Sequence, residues 1–226
     1  MKKILTLSLT LIMACSLAMA DKKNDLKEIR KERQEITKMA KKELNSRVDK
    51  ATKKEAKRLE KEGWGVKPGV LPLEKQLEKS YLMQSEYDAD LYPKYIMGEA
   101  SSIGQNYDAA KVSAMSLAIT NLAGQIQTEV TALIENTVAN KQLSPDEAAS
   151  ISETVMSSKS LISQSIGRVL TVVECYRINE KQNNEVLVRV AYSGDMAKEA
   201  TRRAIRQILE EKGNNLQEQL DKVLGL

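Results

Sequence analysis

The chain has 226 residues, 42% hydrophobic and 29% charged, with a formal net charge of +4, no histidine and two cysteines. The lack of histidine removes the usual general base, the common zinc ligand and the Ser-His and Cys-His nucleophile systems. Cys15 falls in an apolar N-terminal segment and leaves Cys175 alone in the body, which excludes an intrachain disulfide, thiolate metal sites and CxxC redox chemistry.

Lys2 and Lys3 precede an apolar run from Ile4 to about Ala14 and a small-residue ending, Ala18-Met19-Ala20. This is the three-part layout of a secretory signal, with an apolar core too short and wrongly flanked for a permanent membrane helix. Cleavage is expected between Ala20 and Asp21, so residues 1–20 are set apart as a signal peptide. A rival cut stays open, because Ile12-Met13-Ala14-Cys15 loosely resembles a lipobox and makes Cys15 the candidate for lipidation. The plain alternative is that Cys15 is an apolar residue of a discarded signal. Either cut predicts an exported protein, in the periplasm or at the outer membrane or cell surface.

Residues 21–62 hold 16 Lys/Arg against 10 Asp/Glu, whereas residues 63–226 hold 17 against 21. The first stretch has no Gly or Pro. Its sparse apolar residues, from Leu26 through Ile36, Leu44 and Ala56 to Leu59, recur mostly every three or four positions, which predicts one long charged helix. So thin a stripe suits a helical arm or a loose coiled coil. Acid-before-base pairs such as Glu43 with Arg47 add a few tenths of a kcal/mol each.

Residues 63–92 read as a connecting segment. Gly63-Trp64-Gly65, Pro68-Gly69 and Pro72 break the helix, and a short amphipathic piece follows at about Leu73 to Gln84. Trp64, Tyr81, Tyr87, Tyr92, Tyr95 and Tyr107 supply six of the eight aromatic side chains in the chain. They can form a ligand platform or fasten an irregular segment onto the body, and the second is the expectation.

The body, residues 93–226, opens with a predicted strand from Tyr95 to Ile103 ending at Gly104. Asn106 or Asp108 caps a helix running to about Asn136, whose expected buried face is Val112, Met115, Ile119, Leu122, Ile126, Val130 and Leu133. Ser144-Pro145-Asp146-Glu147 combines a capping serine, Pro at the first helical position and Glu three after the cap. The serine-rich stretch to about Ser165 is expected to be helical in part, since its hydroxyls compete for the backbone. Arg168 to Ile178 and Glu185 to Tyr192 form an antiparallel hairpin pattern. Asp195 then caps a helix, interrupted near Gly213-Asn214-Asn215 before a last amphipathic piece. The order predicts an α+β fold: an antiparallel sheet of about three strands packed on a long helix and a C-terminal helix, with helices on one face and a charged helix in front.

What chemistry remains is carboxylate or lysine chemistry. Asp88 with Asp90 and Asp146 with Glu147 are paired acids, but no EF-hand spacing surrounds them, and a solvated turn and a helix-dipole contact are the expected roles. No catalytic residue, metal ligand or cofactor site is assigned. Cys175 lies in a valine-rich strand pattern and is expected to be a buried, inert thiol. Arg202, Arg203 and Arg206 form a small basic cluster that, with Trp64, Tyr81 and Tyr87, makes up the expected partner contacts.

Pro93-Lys94-Tyr95-Ile96-Met97-Gly98-Glu99-Ala100, the helix bearing Ala109-Ala110, Ala114, Ala118 and Leu122-Ala123-Gly124-Gln125-Ile126, and the strands Val169 to Tyr176 and Val186 to Tyr192 together resemble the Lpp-twenty family of bacterial envelope lipoproteins. The resemblance covers about residues 93–210. It implies a non-enzymatic envelope protein with an α+β domain acting through protein contacts, and it brings no catalytic residues. The lipobox is poor by that family's pattern, and residues 21–62 lie outside it. The expectation is an exported interaction or assembly module with a protein partner or self-association, an envelope or membrane surface as a further contact, and no nucleic acid. The alternative is a periplasmic or surface binding protein for a small or glycan ligand held by the aromatic cluster.

Overall fold

In the computed structural model, residues 48–88, 93–139, 143–213 and 215–226 are described. The chain divides into two compact units, Met1–Asp49 and Lys50–Leu226. Of the first, only Val48 and Asp49 are described, and both are helical. The signal, Cys15 and the arm up to residue 47 therefore lie outside the described residues, as do Asp90 and Tyr92.

The second unit contains helix α1 (helical over residues 48–61, of which 50–61 fall in this unit), α2 (Leu73–Gln84), strand β1 (Tyr95–Gly104) and the long α3 (Tyr107–Ala139). There follow α4 (Pro145–Ser157), α5 (Lys159–Ser165), β2 (Leu170–Ile178), β3 (Asn184–Ser193), α6 (Gly194–Lys212) and α7 (Leu216–Leu224). The three strands form an antiparallel sheet in the order β1-β3-β2, so the fold is α+β as expected.

Alternation along each strand divides the sheet into two faces. On one face Ile96, Val186, Val188, Val190 and Tyr192 join Ala110, Ala114, Ala118, Leu122, Ile126, Val130 and Ile134 of α3 in the main core, completed by Ile151, Val155, Ile162, Ile205, Leu209, Leu220 and Leu224 from the other helices. Of the expected buried face of α3, Leu122, Ile126 and Val130 lie in the core and Met115 and Leu133 pack against it, but its first turns differ. Val112 is 70% exposed, and the alanines at 110, 114 and 118 point inward. The cause is close approach: a Cβ on Gly98 would lie 2.7 Å from Leu122 Cβ, and one on Gly104 2.7 Å from Ala110 N. Only a small-residue stripe lets a helix lie this near a strand.

The opposite face is also covered, which corrects the expectation of helices on one face only. Ala56 and Leu59 of α1, Trp64, and Leu73 and Leu77 of α2 pack on Val173 and Cys175 of β2. Residues 50–62 thus belong to the folded body, not to a separate arm. Thr52 and Ala56 are small enough to bury fully, so a thin stripe suffices. α1 ends in a Schellman turn: Gly63, with φ 86°, donates to Glu60 O, and Trp64 N donates to Leu59 O. That reversal returns Trp64 to the sheet, and Gly65 then pairs with Tyr176 and covers the β2 edge. Between Thr171 and Val173 the register shifts by one residue, and Val172 and Val173 are both buried on this side.

Other expectations hold at the local level. Asn106, not Asp108, caps α3 by accepting from Ala109 N, and Ser144 with Glu147 forms the full capping box of α4. The serine-rich stretch becomes α4 and α5. Ser193 rather than Asp195 is the N-cap position of α6, Asp195 falling in its first turn.

Candidate functional site at the open edge of the sheet

β3 is central; the β2 edge is met by Gly65 at Tyr176 and by the Gln76 side chain at Glu174 N, and no bridge falls within Tyr95–Gly104 on the outer side of β1, so β1 is the more open edge among the described residues. The phase of its backbone follows from two bonds. Gly194 N donates to Lys94 O, and the side chain of Asn121 donates to Glu99 O at 2.9 Å from the other side. In an antiparallel ladder the groups of alternate residues turn the same way. The N–H and C=O groups of Met97, Glu99 and Ser101 therefore face outward, and of these only Glu99 O has a protein partner among the described residues.

A cleft of about 510 Å³ runs along this edge. Met97 and Gly98 form its floor, Gln84 at the end of α2 borders one side, and Asn121, Gln125 and Lys159 border the other. The Arg189–Glu99 ion pair lies within it. Arg189 Nε and its terminal nitrogen reach Glu99 Oε2 at 2.6 and 2.5 Å, and a second terminal nitrogen donates to Ser80 Oγ at 3.0 Å. Its guanidinium also lies 5.9 Å from the Tyr81 ring centre. The Arg189 side chain is only 17% exposed and its charge is thus spent internally. Lys159 differs. Its ammonium stands over Gly124, 3.3 Å from where a Cβ would be, and makes no ion pair among the described residues.

The exposed side of α3 continues this surface. Residues 112–128 contain no Asp, Glu, Lys or Arg, so the eight exposed positions among them, 112, 113, 116, 117, 120, 121, 125 and 128, are all uncharged in a chain that is 29% charged. Val112 and Leu117 are exposed there. The hydroxyls of Thr120 and Thr128 turn back to the carbonyls of Ser116 and Gly124, which lowers the polarity of the face further.

A second polar cluster joins the start of α3 to β2. Glu174 accepts from the Tyr107 hydroxyl and from Lys111 Nζ, the latter at 2.8 Å. Tyr107 meets Tyr176 edge to face at 5.4 Å, and Lys67 stands 4.2 Å over the Tyr107 ring. Burial, then the bond to Glu174, holds the Tyr107 phenol above the usual tyrosine range. A phenol held protonated is a poor base, so the cluster acts as a clamp on the end of β2.

No family model matches this chain, nor does any curated protein or solved structure.

The remaining sequence candidates disperse. Trp64 is buried under α1 and α2 with the Arg177 guanidinium 4.7 Å over its ring, and lines neither this cleft nor the smaller one near Ile103 and Arg177. Tyr81 packs partly against the same cluster, and Tyr87 is exposed beside the short bridge to Pro93. Arg202 is bidentate to Asp221, Arg203 donates to Ser165 O and Arg206 to Glu210, so the three guanidinium groups are held by internal partners. Glu147 is held below the usual carboxylate range by Ser144, in keeping with a cap. Cys175 is buried, and burial pushes its thiol up to about 12. Among the described residues no group of three acids or thiols could hold a metal, and no helix is long and apolar enough to cross a membrane.

Sequence reasoning missed Gly98, Glu99, Asn121, Lys159 and Arg189 as a set. A glycine inside a strand and an arginine inside the run Val186 to Tyr192 were the available hints.

Proposed function

We propose that this is an exported envelope protein that acts without catalysis, as an interaction or assembly module whose docking surface is the open edge of β1 together with the adjoining face of α3. The observation that carries the reading is that the eight exposed positions of α3 between 112 and 128 are all uncharged, next to strand backbone groups that have no partner among the described residues. A surface without charge is what interface centres have and what solvated helices lack. An uncovered strand edge left this plain is otherwise a liability. The N-terminal signal pattern and the resemblance of residues 93–210 to the Lpp-twenty envelope family support the location and the absence of chemistry.

Charge placed on this face tests the reading. Leu117→Lys and Ser113→Glu are exposed and should leave the thermal midpoint within a few degrees of the parent. In native detergent extracts of the producing cell's envelope, the parent should migrate above its monomer mass and the variants should fall to it. A parent that runs as a monomer, or variants that assemble like the parent, would refute the proposal.

A further inference from the structure

The open edge of β1 is more specific than an uncharged surface requires. Met97, Glu99 and Ser101 present an alternating row of donors and acceptors, and the cleft beside them holds side-chain amides on both walls, Gln84 on one and Gln125 on the other. Neither amide has a hydrogen-bond partner among the described residues. Glu99 is neutralised by Arg189, so the charge left to be matched in the cleft is that of Lys159.

We infer that this cleft takes an extended peptide segment of a partner protein, added as a fourth strand on β1, with an acidic side chain directed to Lys159. The inference rests on the docking surface proposed above and names its occupant. Backbone bonds to the edge provide affinity in such strand addition, and side-chain pockets provide selectivity. Glu99 O keeps one lone pair after accepting from Asn121, so the ladder is not interrupted there. Charge also argues against β1 of a second copy as occupant. The one acid on β1 is Glu99, already held by Arg189, and a β1 from another copy brings no free carboxylate to Lys159.

The test uses the mature protein and a random dodecapeptide display library. Selected peptides should carry Asp or Glu at a fixed place in a β-prone stretch. For the synthesised best binder, Glu→Gln or Asp→Asn in the peptide, or Lys159→Gln in the protein, should weaken binding about three- to five-fold, and the two changes together no further. Methylating alternate peptide nitrogens in the pairing register should abolish binding, and the amide resonances of Met97, Glu99 and Ser101 should shift on titration. Lack of any enriched peptide, binding indifferent to Lys159→Gln or to methylation, or edge resonances that move with protein concentration alone would overturn the inference, the last in favour of self-association. Failure here with loss of assembly in Leu117→Lys would still leave the docking surface standing, whereas the reverse outcome would remove the assembly role and keep a peptide site.

Discussion

Gly98 of β1 lies against the backbone of α3 at Ala118 and Leu122, so close that a Cβ would come 2.8 Å from Leu122 N. The contact holds the edge strand to the longest helix and sets the floor of the cleft. Because the obstructing atoms include backbone, they cannot swing aside. Gly98→Ala is expected to cost roughly 3 kcal/mol, the upper part of the usual overpacking range, read as a lower urea midpoint at unchanged slope. Gly65→Ala has nothing within 4 Å of its new Cβ and serves as the comparison. Equal midpoints for the two variants would contradict the close packing.

Gln127 is the buried polar group that ties α3 to α4. It is 4% exposed, and its Nε2 donates to Val155 O at 2.7 Å and to Met156 O at 2.8 Å at the end of α4, where Val155 O also accepts from Ser158 N. Gln127→Leu keeps the volume but removes both side-chain hydrogen bonds between α3 and α4, so a loss of about 1–3 kcal/mol is expected in chemical denaturation. Thr128→Ala, on the exposed side, should change stability by less than about 0.5 kcal/mol.

These two positions show where legibility from sequence ends. The capping box at Ser144 and Glu147 is local, four adjacent residues whose roles follow from their own backbone, and it was readable. The strands were readable too, since alternation is a property of each strand alone. The buried face of α3 was readable at Leu122, Ile126 and Val130 but not in its first turns, because Ala110, Ala114 and Ala118 carry little hydrophobic signal and become decisive only when Gly98 brings a strand against them. The placement of residues 50–62 failed for a related reason: Thr52 and Ala56 bury completely while looking like a weak stripe. The cleft joins Glu99, Asn121, Lys159 and Arg189 from four elements, a juxtaposition that only the topology creates.

Cys175 offers a probe of the second core. It packs with Trp64, Leu73 and Leu77, and burial raises its thiol to about 12, so little thiolate exists near neutrality. Modification by a disulfide reagent at pH 8 is expected to be slow in the native protein and fast in urea, with a rate set by opening of α1 and α2. Leu77→Ala should cost about 2–5 kcal/mol and accelerate labelling. Rapid native labelling of Cys175 at the rate of a free thiol would show that these helices do not cover the sheet.

The clamp at Tyr107 makes stability fall at high pH in a way that can be isolated. Its phenol is raised above the unfolded value, first by burial and then by the bond to Glu174. The folded state therefore holds the proton more tightly than the unfolded chain. That contribution is fully present below about pH 10, the unfolded tyrosine value, and is lost as pH rises towards the folded value. Tyr107→Phe removes the titrating group, so between pH 9 and 11 its unfolding free energy should decline less steeply than that of the parent, though it starts lower through loss of the hydrogen bond. Glu174→Gln keeps a hydrogen-bond acceptor but removes the charge that disfavours phenolate, and should give an intermediate slope. Tyr107→Phe matching the parent's slope across that window would exclude Tyr107 as the linked group.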